Sequence, residues 1–303
     1  MHKVLIGALL AALALGGAGI GLSSVDAATP GNGLQVVAAE NFWGSIASQL
    51  GGDRVHVTSV ITSPATDPHD YEPTAADART MAGAQMAIVN GIGYDPWAGQ
   101  LIAANPVHGR VVLTVGDLVG IKPGGNPHRW YSPKDVQRVI DQIVRDYTKL
   151  DPKNAGYFKQ QKARFETRGL AQYNRLIATI KRKYHGVSVG ASESIFAPLA
   201  QALGLKLLTP ASFLKAISEG TEPTAADKTT IDRQIARKQI KVWVFNSQNS
   251  TPDVQRITDA ARKQGIPVTT ITETPTPAAV TFQGWQSRQL ETLAAALAKA
   301  TGR

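Results

Sequence analysis

The 303-residue chain contains no cysteine. That absence removes disulfides, thiolate metal sites and cysteine nucleophiles, and it leaves no thiol to carry a lipid at a processed N-terminus. Long apolar runs are missing as well, apart from one at the N-terminus, so no later segment is expected to cross a bilayer. Neither a His-Glu-x-x-His pair nor a Gly-x-Ser-x-Gly elbow occurs, which takes away local signatures of zinc proteases and serine hydrolases. Lys and Arg outnumber Asp and Glu, 32 to 23. The basic residues are nevertheless scattered, apart from short clusters such as Lys181-Arg182-Lys183, and none is interleaved with aromatics. No nucleic-acid partner is expected from that pattern.

What is present begins with an export signal. Lys3 supplies a short positive region, Val4 to Leu22 an apolar Ala/Leu/Gly-rich stretch, and Val25-Asp26-Ala27 the small residues a signal peptidase reads. Cleavage after Ala27 is expected, with retention as an anchor the alternative. The remaining chain should then be a soluble protein of the periplasm or another extracytoplasmic compartment, without a lipid-anchor cysteine.

Apolar periodicity places strands at Gln35–Ala39, Val55–Ile61, Met86–Asn90 and Arg110–Val115, alternating with helices at Asn41–Leu50, Ala75–Gly83 and Pro96–Ala104. Gly116–Gly125 reads as a loop. Ser132 is a good N-cap and Pro133 a good first helical residue, which predicts a helix to Leu150. Asp151-Pro152 repeats the start signal, and a polar helical pattern follows to Lys183, weakened locally by Gly156 and Gly169. A helix of about 30 residues spans roughly 45 Å, the width of a domain. A second alternation then begins, with strands at Val187–Ala191, Lys206–Thr209, Val242–Asn246 and Val268–Thr272. Its helices are Ile195–Leu203, Thr224–Lys238, Asp253–Gln264 and Trp285–Lys299. The expected fold is α/β, with two lobes, each a parallel β-sheet flanked by helices, joined by one long rigid α-helix. The expected division is a signal at 1–27, an N-terminal lobe at 28–132, a linking helical segment at 133–184 and a C-terminal lobe at 185–303.

Two-lobed α/β chains bind ligands where the carboxyl ends of their strands meet. His69 follows the second strand, held between Pro68 and Pro73 on a stiff turn. His128 follows the fourth strand in a second Pro-His pair. Glu193 follows the first strand of the second half and Glu273 its last. Two imidazoles and two carboxylates at strand ends suit a divalent transition metal. The four lie far apart in sequence and match no local ligand spacing, so on the residues alone a metal site and a scatter of ordinary loop side chains both remain open. Asp70 and Glu72 are candidates to accept the second ring N–H of His69, or to cap the next helix. Asn246 and Ser247 are candidate donors beside the cleft. His56, His108 and His185 read as solvated, and Trp43, Trp130, Tyr131 and Phe196 as packing.

The stretch Asp67-Pro68-His69-Asp70-Tyr71-Glu72-Pro73-Thr74 resembles the first ligand motif of the zinc/manganese family of ABC-transporter solute-binding proteins. Asn126-Pro127-His128-Arg129-Trp130, with Ser132-Pro133, resembles that family's second motif, in which aspartate is commoner before the proline. Ala38-Ala39-Glu40-Asn41-Phe42-Trp43 and Ile217-Ser218-Glu219-Gly220 with Pro223 are similar to it as well. The resemblance covers essentially the whole chain beyond the signal. It implies two α/β lobes, a rigid linking helix and one metal between the lobes, with His69, His128 and Glu193 at ligand positions. Glu273 falls where that family usually has aspartate. The resemblance further implies a monomeric, non-enzymatic binding protein that captures Mn²⁺ or Zn²⁺, with Fe²⁺ a third candidate, and hands it to a cognate ABC permease at the membrane. Glutamate rather than a third histidine at position 193 leans toward the harder cations, as does the lack of any histidine in Gly116–Gly125. Readings from other classes are an exported metallohydrolase using the same His/Glu site and a metal-binding adhesin. Four side chains would close the shell, whereas a catalytic zinc keeps three protein ligands and an open position.

Overall fold

A computed structural model describes residues 33–303; the expected signal at 1–27 and the lead-in through residue 32 lie outside the described residues. The first half is built from β1 (Leu34–Glu40), α1 (Asn41–Gly51), β2 (Val55–Ile61), α2 (Ala75–Ala82), β3 (Met86–Val89), α3 (Pro96–Ala104), β4 (Val111–Thr114) and the short α4 (Val115–Val119). These strands form one parallel sheet in the order β2-β1-β3-β4. Helical segments α5 (Pro133–Leu150), α6 (Ala155–Arg164) and α7 (Ala171–Tyr184) follow. The second half comprises β5 (Ser188–Ala191), α8 (Ala197–Leu203), β6 (Lys206–Leu207), α9 (Ala211–Ser218), α10 (Ala225–Ala236), β7 (Val242–Asn246), α11 (Pro252–Lys263), β8 (Val268–Ile271) and α12 (Phe282–Thr301). Its sheet is also parallel and runs β6-β5-β7-β8. Both sheets therefore share one winding, with the first strand of each half inside and the second at the edge. Central strands such as β3 and β7 are buried along their whole length, as continuous apolar runs covered on both faces must be.

The expected α/β fold with two parallel sheets is what the chain adopts. The linking helix carries one irregularity. The helical path from Ala155 to Tyr184 passes through a π turn at Phe165–Gly169 before α7 begins. A β-carbon at Gly169 would lie 2.9 Å from Cδ2 of Phe165, so glycine lets the wider turn close over the buried ring. Two helices depart from the sequence expectation. Residues 116–125 are not wholly loop, because α4 forms one turn around buried Val115 and ends at Gly120 with φ of 77°. α9 lies where no element was expected. Its Phe213, Leu214 and Ile217 are buried on one side, which gives an eight-residue segment enough apolar surface to hold helix. β6 is only two residues long, since Lys206 is exposed at the sheet edge and Pro210 soon takes the chain away.

The largest apolar core joins residues of both sheets. Val36, Ile88 and Leu113 of the first sheet and Val189, Val244 and Ile271 of the second belong to the same cluster, with α5, α7 and α12 contributing Ile140, Ile180 and Leu293. α12 reaches across to α1, where the side-chain amides of Gln283 and Gln49 exchange hydrogen bonds of 2.7 and 3.1 Å. Phe282 N–H donates to Ser45 Oγ nearby.

The loop from β2 to α2 ends in a capping box. Asp77 N–H donates to Thr74 Oγ1, and the Asp77 carboxylate accepts from Thr74 N–H at 2.7 Å and from Tyr71 O–H at 2.9 Å. Thr74→Ala should lower stability by about 1 kcal/mol, as cap loss usually does. Thermal denaturation of the two proteins would measure it, and an unchanged melting temperature would count against the cap.

Candidate metal centre

His128 occupies a turn that other segments hold rigid. Asn126 Oδ1 accepts the His128 backbone N–H at 3.0 Å and lies 2.9 Å from Nδ1 of the ring. An amide oxygen can only accept, so Nδ1 carries the proton and Nε2 keeps its lone pair. The Asn126 amide donates in turn to Ser194 O, across the cleft. Pro127 O accepts from Asn90 Nδ2, and Asn90 Oδ1 accepts from Trp43 Nε1. The indole and phenyl rings of Trp130 and Phe42 stack at 4.1 Å, while Tyr94 and Trp130 lie edge-on to the imidazole. The result is a histidine 1% exposed, walled by aromatics.

Nε2 of that ring faces two carboxylates. Glu193 Oε1 lies 3.7 Å away and Glu273 Oε2 3.5 Å away. Both gaps exceed a hydrogen bond. Glu193 is 2% exposed and Glu273 16%. One donor atom from each of the three side chains falls within 4.8 Å of the others. Asn246, buried at the end of β7, donates to Glu193 Oε2 at 2.8 Å and to Glu273 Oε1 at 2.9 Å. Ser218 O–H donates to Glu193 Oε1 and Tyr94 O–H to Glu273 Oε2.

Burial sets the protonation of the trio. It pushes His128 down to about 4, against the pull of the Glu193 carboxylate, so the ring is neutral at pH 7. Burial and the neighbouring Glu273 carboxylate push Glu193 up to about 7, and burial pushes Glu273 up to about 7 as well. A neutral imidazole with a bare nitrogen, opposite two carboxyls that resist being charged together, is a donor set that a divalent cation would satisfy.

His69 stands apart from the trio. It is exposed, on the loop between β2 and α2, and its ring meets Tyr94 edge-on at 4.9 Å between centroids. Its backbone N–H donates to Asp67 Oδ1. Among the described residues no hydrogen bond joins its ring to Asp70 or Glu72; Asp67 is the carboxylate that shapes this turn. The loop is tied down at three carbonyls, Thr62 O accepting from Asn41 Nδ2, Pro68 O from Trp97 Nε1 and Pro64 O from Gln248 Nε2 across the cleft. Two openings flank the trio. One, of about 590 Å³, is lined by His69, Asp70, Asn126, Ser194 and Lys215 among others. The other, of about 220 Å³, is lined by Pro64, Asp67, Glu193, Gln248 and Glu273 among others.

The structure thus brings together three of the four expected residues, with the fourth at the rim. His56, His108 and His185 are exposed, and Trp43, Trp130, Tyr131 and Phe196 are buried packing residues, as expected. Sequence reasoning missed Tyr94, Ser218 and Gln248 as partners of the site. Tyr94 and Gln248 carry no local signal. Asn126 had one, its place two residues before His128, where an amide oxygen now does what a carboxylate would do.

The chain matches the family described as zinc-uptake complex component A, periplasmic, over residues 36–296. It is similar to the manganese-binding lipoprotein MntA of Halalkalibacterium halodurans, 28% identical over 161 residues that make up 51% of this chain and 52% of that protein. The chain thus matches about half the length of that relative. With the manganese ABC transporter substrate-binding lipoprotein PsaA of Streptococcus pneumoniae it is 23% identical over 72% of this chain and 74% of the other. Among solved structures it resembles a Mn-bound S38A mutant of a periplasmic metal binding protein from candidatus Liberibacter asiaticus. That likeness has a TM-score of 0.72 at 21% identity, covers 86% of this chain and 98% of that one, and speaks to the fold.

Proposed function

The chain belongs to the zinc-uptake complex component A, periplasmic family, and from that membership we propose that it captures one divalent transition-metal ion between its two sheets and passes it to an ABC permease. The observation that carries the reading is the buried donor set, in which His128 Nε2, Glu193 Oε1 and Glu273 Oε2 converge and no lysine or arginine among the described residues pairs with either carboxylate. In this reading those three side chains are ligands and His69 is the fourth, brought in by rearrangement of its loop. The ion is Mn²⁺, Zn²⁺ or Fe²⁺, since imidazole with carboxylates suits all three. The relatives bearing on that choice are named for manganese, while the family is named for zinc.

The reading divides the chain as an N-terminal lobe at 28–132, a linking segment at 133–184 and a C-terminal lobe at 185–303. It places the protein outside the cytoplasm as a monomer whose macromolecular partner is the permease. Binding is favoured over hydrolysis because a fourth donor stands ready on the adjoining loop, which would close the shell that a catalytic zinc leaves open. No helix among the described residues is long and apolar enough to cross a membrane.

The test is direct. Protein stripped with a chelator and dialysed should take up about one ion per chain from Zn²⁺ or Mn²⁺ solution, with a rise in melting temperature on addition. Failure of both ions to bind or to stabilise would overturn the proposal.

A further inference from the structure

Asn246 has an arrangement that mere packing would not require. Its side chain is fully buried and all of its polar groups are used. The amide nitrogen gives one hydrogen to Glu193 Oε2 at 2.8 Å and the other to Glu273 Oε1 at 2.9 Å. Its amide oxygen accepts from Gln248 N–H at 3.1 Å, and its backbone N–H donates to Ser192 Oγ at 2.9 Å. The orientation of the amide is fixed by that network: turned over, it would set an N–H against Gln248 N–H and an oxygen against two carboxylates. Gln248 is itself anchored, accepting from Thr274 N–H beside Glu273 and donating to Pro64 O on the far side of the cleft. One amide therefore bridges two like-charged ligands and holds them at a set spacing.

The oxygens it holds matter most. Asn246 occupies Glu193 Oε2 and Glu273 Oε1; the oxygens facing His128 Nε2 are Glu193 Oε1 and Glu273 Oε2. Among the described residues these two accept only from the hydroxyls of Ser218 and Tyr94, donors that can rotate away where a fixed amide cannot. An oxygen tied to a buried, immobile N–H is not free to swing into a coordination shell alongside its partner. Each carboxylate can thus offer the ion one oxygen. With two imidazoles the count is four, the number zinc prefers. Calcium gathers about six to eight oxygens, often through bidentate carboxylates, and magnesium about six.

We infer that Asn246 fixes the coordination number of the site, holding each carboxylate to a single donor oxygen and so selecting a four-coordinate ion over ions that gather six or more donors. The inference rests on the proposed function and adds to it the basis of its selectivity. It makes Asn246 a positioning residue that never touches the ion.

The experiment compares the stripped wild-type chain with Asn246→Ser, which removes the amide, and Asn246→Leu, which nearly keeps the volume and cannot donate. Each is titrated with Zn²⁺ and Mn²⁺ by competition against a chelating dye, and the visible spectrum of the Co²⁺ form is recorded. Loss of an outer partner commonly costs about 10–100-fold in affinity, and Zn²⁺ should lose that much. Mn²⁺ should lose about tenfold less, because freed carboxylates can bind it through both oxygens. The preference for zinc then narrows by about that factor, and the intense Co²⁺ absorption of a four-coordinate site weakens. If Asn246→Ser fails to fold, Asn246→Leu gives the same reading. Equal loss for both ions with an unchanged Co²⁺ spectrum, or no loss at all, would overturn the inference and leave the proposed function standing. A wild-type chain that binds neither ion would overturn both.

Discussion

Alanine at position 128 should abolish the stabilisation that metal confers. His128 offers the one buried nitrogen of the converging trio, and no nearby side chain can replace it. At an ion concentration a thousand times the wild-type Kd, binding stabilises the native chain by about 4.1 kcal/mol. Losing a direct ligand should cost about three orders of magnitude, more than the 10–100-fold typical of an outer partner. The same ion concentration then equals the variant's Kd, and the gain shrinks to about 0.4 kcal/mol. The metal-free variant should still fold, because Asn126 Oδ1 keeps its bond from the backbone N–H of residue 128. His69→Ala provides the complementary case. Its side chain is exposed, so metal-free stability should change by no more than about 0.5 kcal/mol, while the proposed fourth ligand is gone and metal-induced stabilisation falls. Differential scanning with and without Zn²⁺ reads both. Persistence of the full metal-induced shift in the two variants would refute the ligand assignment.

Lowering the pH from 7.5 to 5.5 should weaken metal binding steeply. Glu193 and Glu273 are pushed up to about 7 by burial, from an ordinary value of 4.5, and an ion must displace whatever protons they hold. Below 7, affinity should fall by about tenfold per pH unit for each proton displaced. His128, pushed down to about 4, stays neutral across this range and adds nothing to the slope. The metal-free chain should behave in the opposite sense. A carboxyl whose value is raised on folding adds stability below its unfolded value of 4.5, and that stability is lost as pH rises through about 7. His128 opposes this between about 4 and its unfolded value of 6.5, where rising pH favours the folded, neutral ring. Above 6.5 the carboxyls act alone, so metal-free stability should decline toward pH 8 while the metal-induced increment grows. Melting temperatures at three pH values, with and without Zn²⁺, test this. A metal-induced increment independent of pH would contradict it.

Much of this was legible in the sequence, for identifiable reasons. β2, α3 and α5 begin and end where Gly, Pro and N-cap residues punctuate apolar runs, and local rules suffice there. The strand-end positions of Glu193 and Glu273 followed from the alternation of strands and helices, because a parallel sheet delivers its strand ends to one side; His128 comes only after β4 and the intervening α4, and its Pro-His turn was the signal. His69 was harder to place, since the loop that carries it takes its path from Trp97 and Gln248, which are remote in sequence. α9 escaped notice because eight residues ending in Ser218 look like connection until Phe213 and Ile217 find a core to enter. Tyr94 reaches Glu273 only through tertiary structure, and nothing around it in the sequence foretells that.

The apolar core that runs without a break beneath both sheets has a thermodynamic consequence for how an empty receptor differs from a loaded one. Swinging the halves apart would uncover that core, and exposing even 200 Å² would cost about 5 kcal/mol at about 25 cal/mol per Å². The angle between the halves is therefore a poor quantity for one small ion to control. The segment at 62–74 is held by less: three carbonyl bonds, from Asn41, Gln248 and Trp97, and the capped helix that follows it. Under the proposed function the conformational tax on capture falls on that segment, which must bring His69 in, and the permease would read full from empty there.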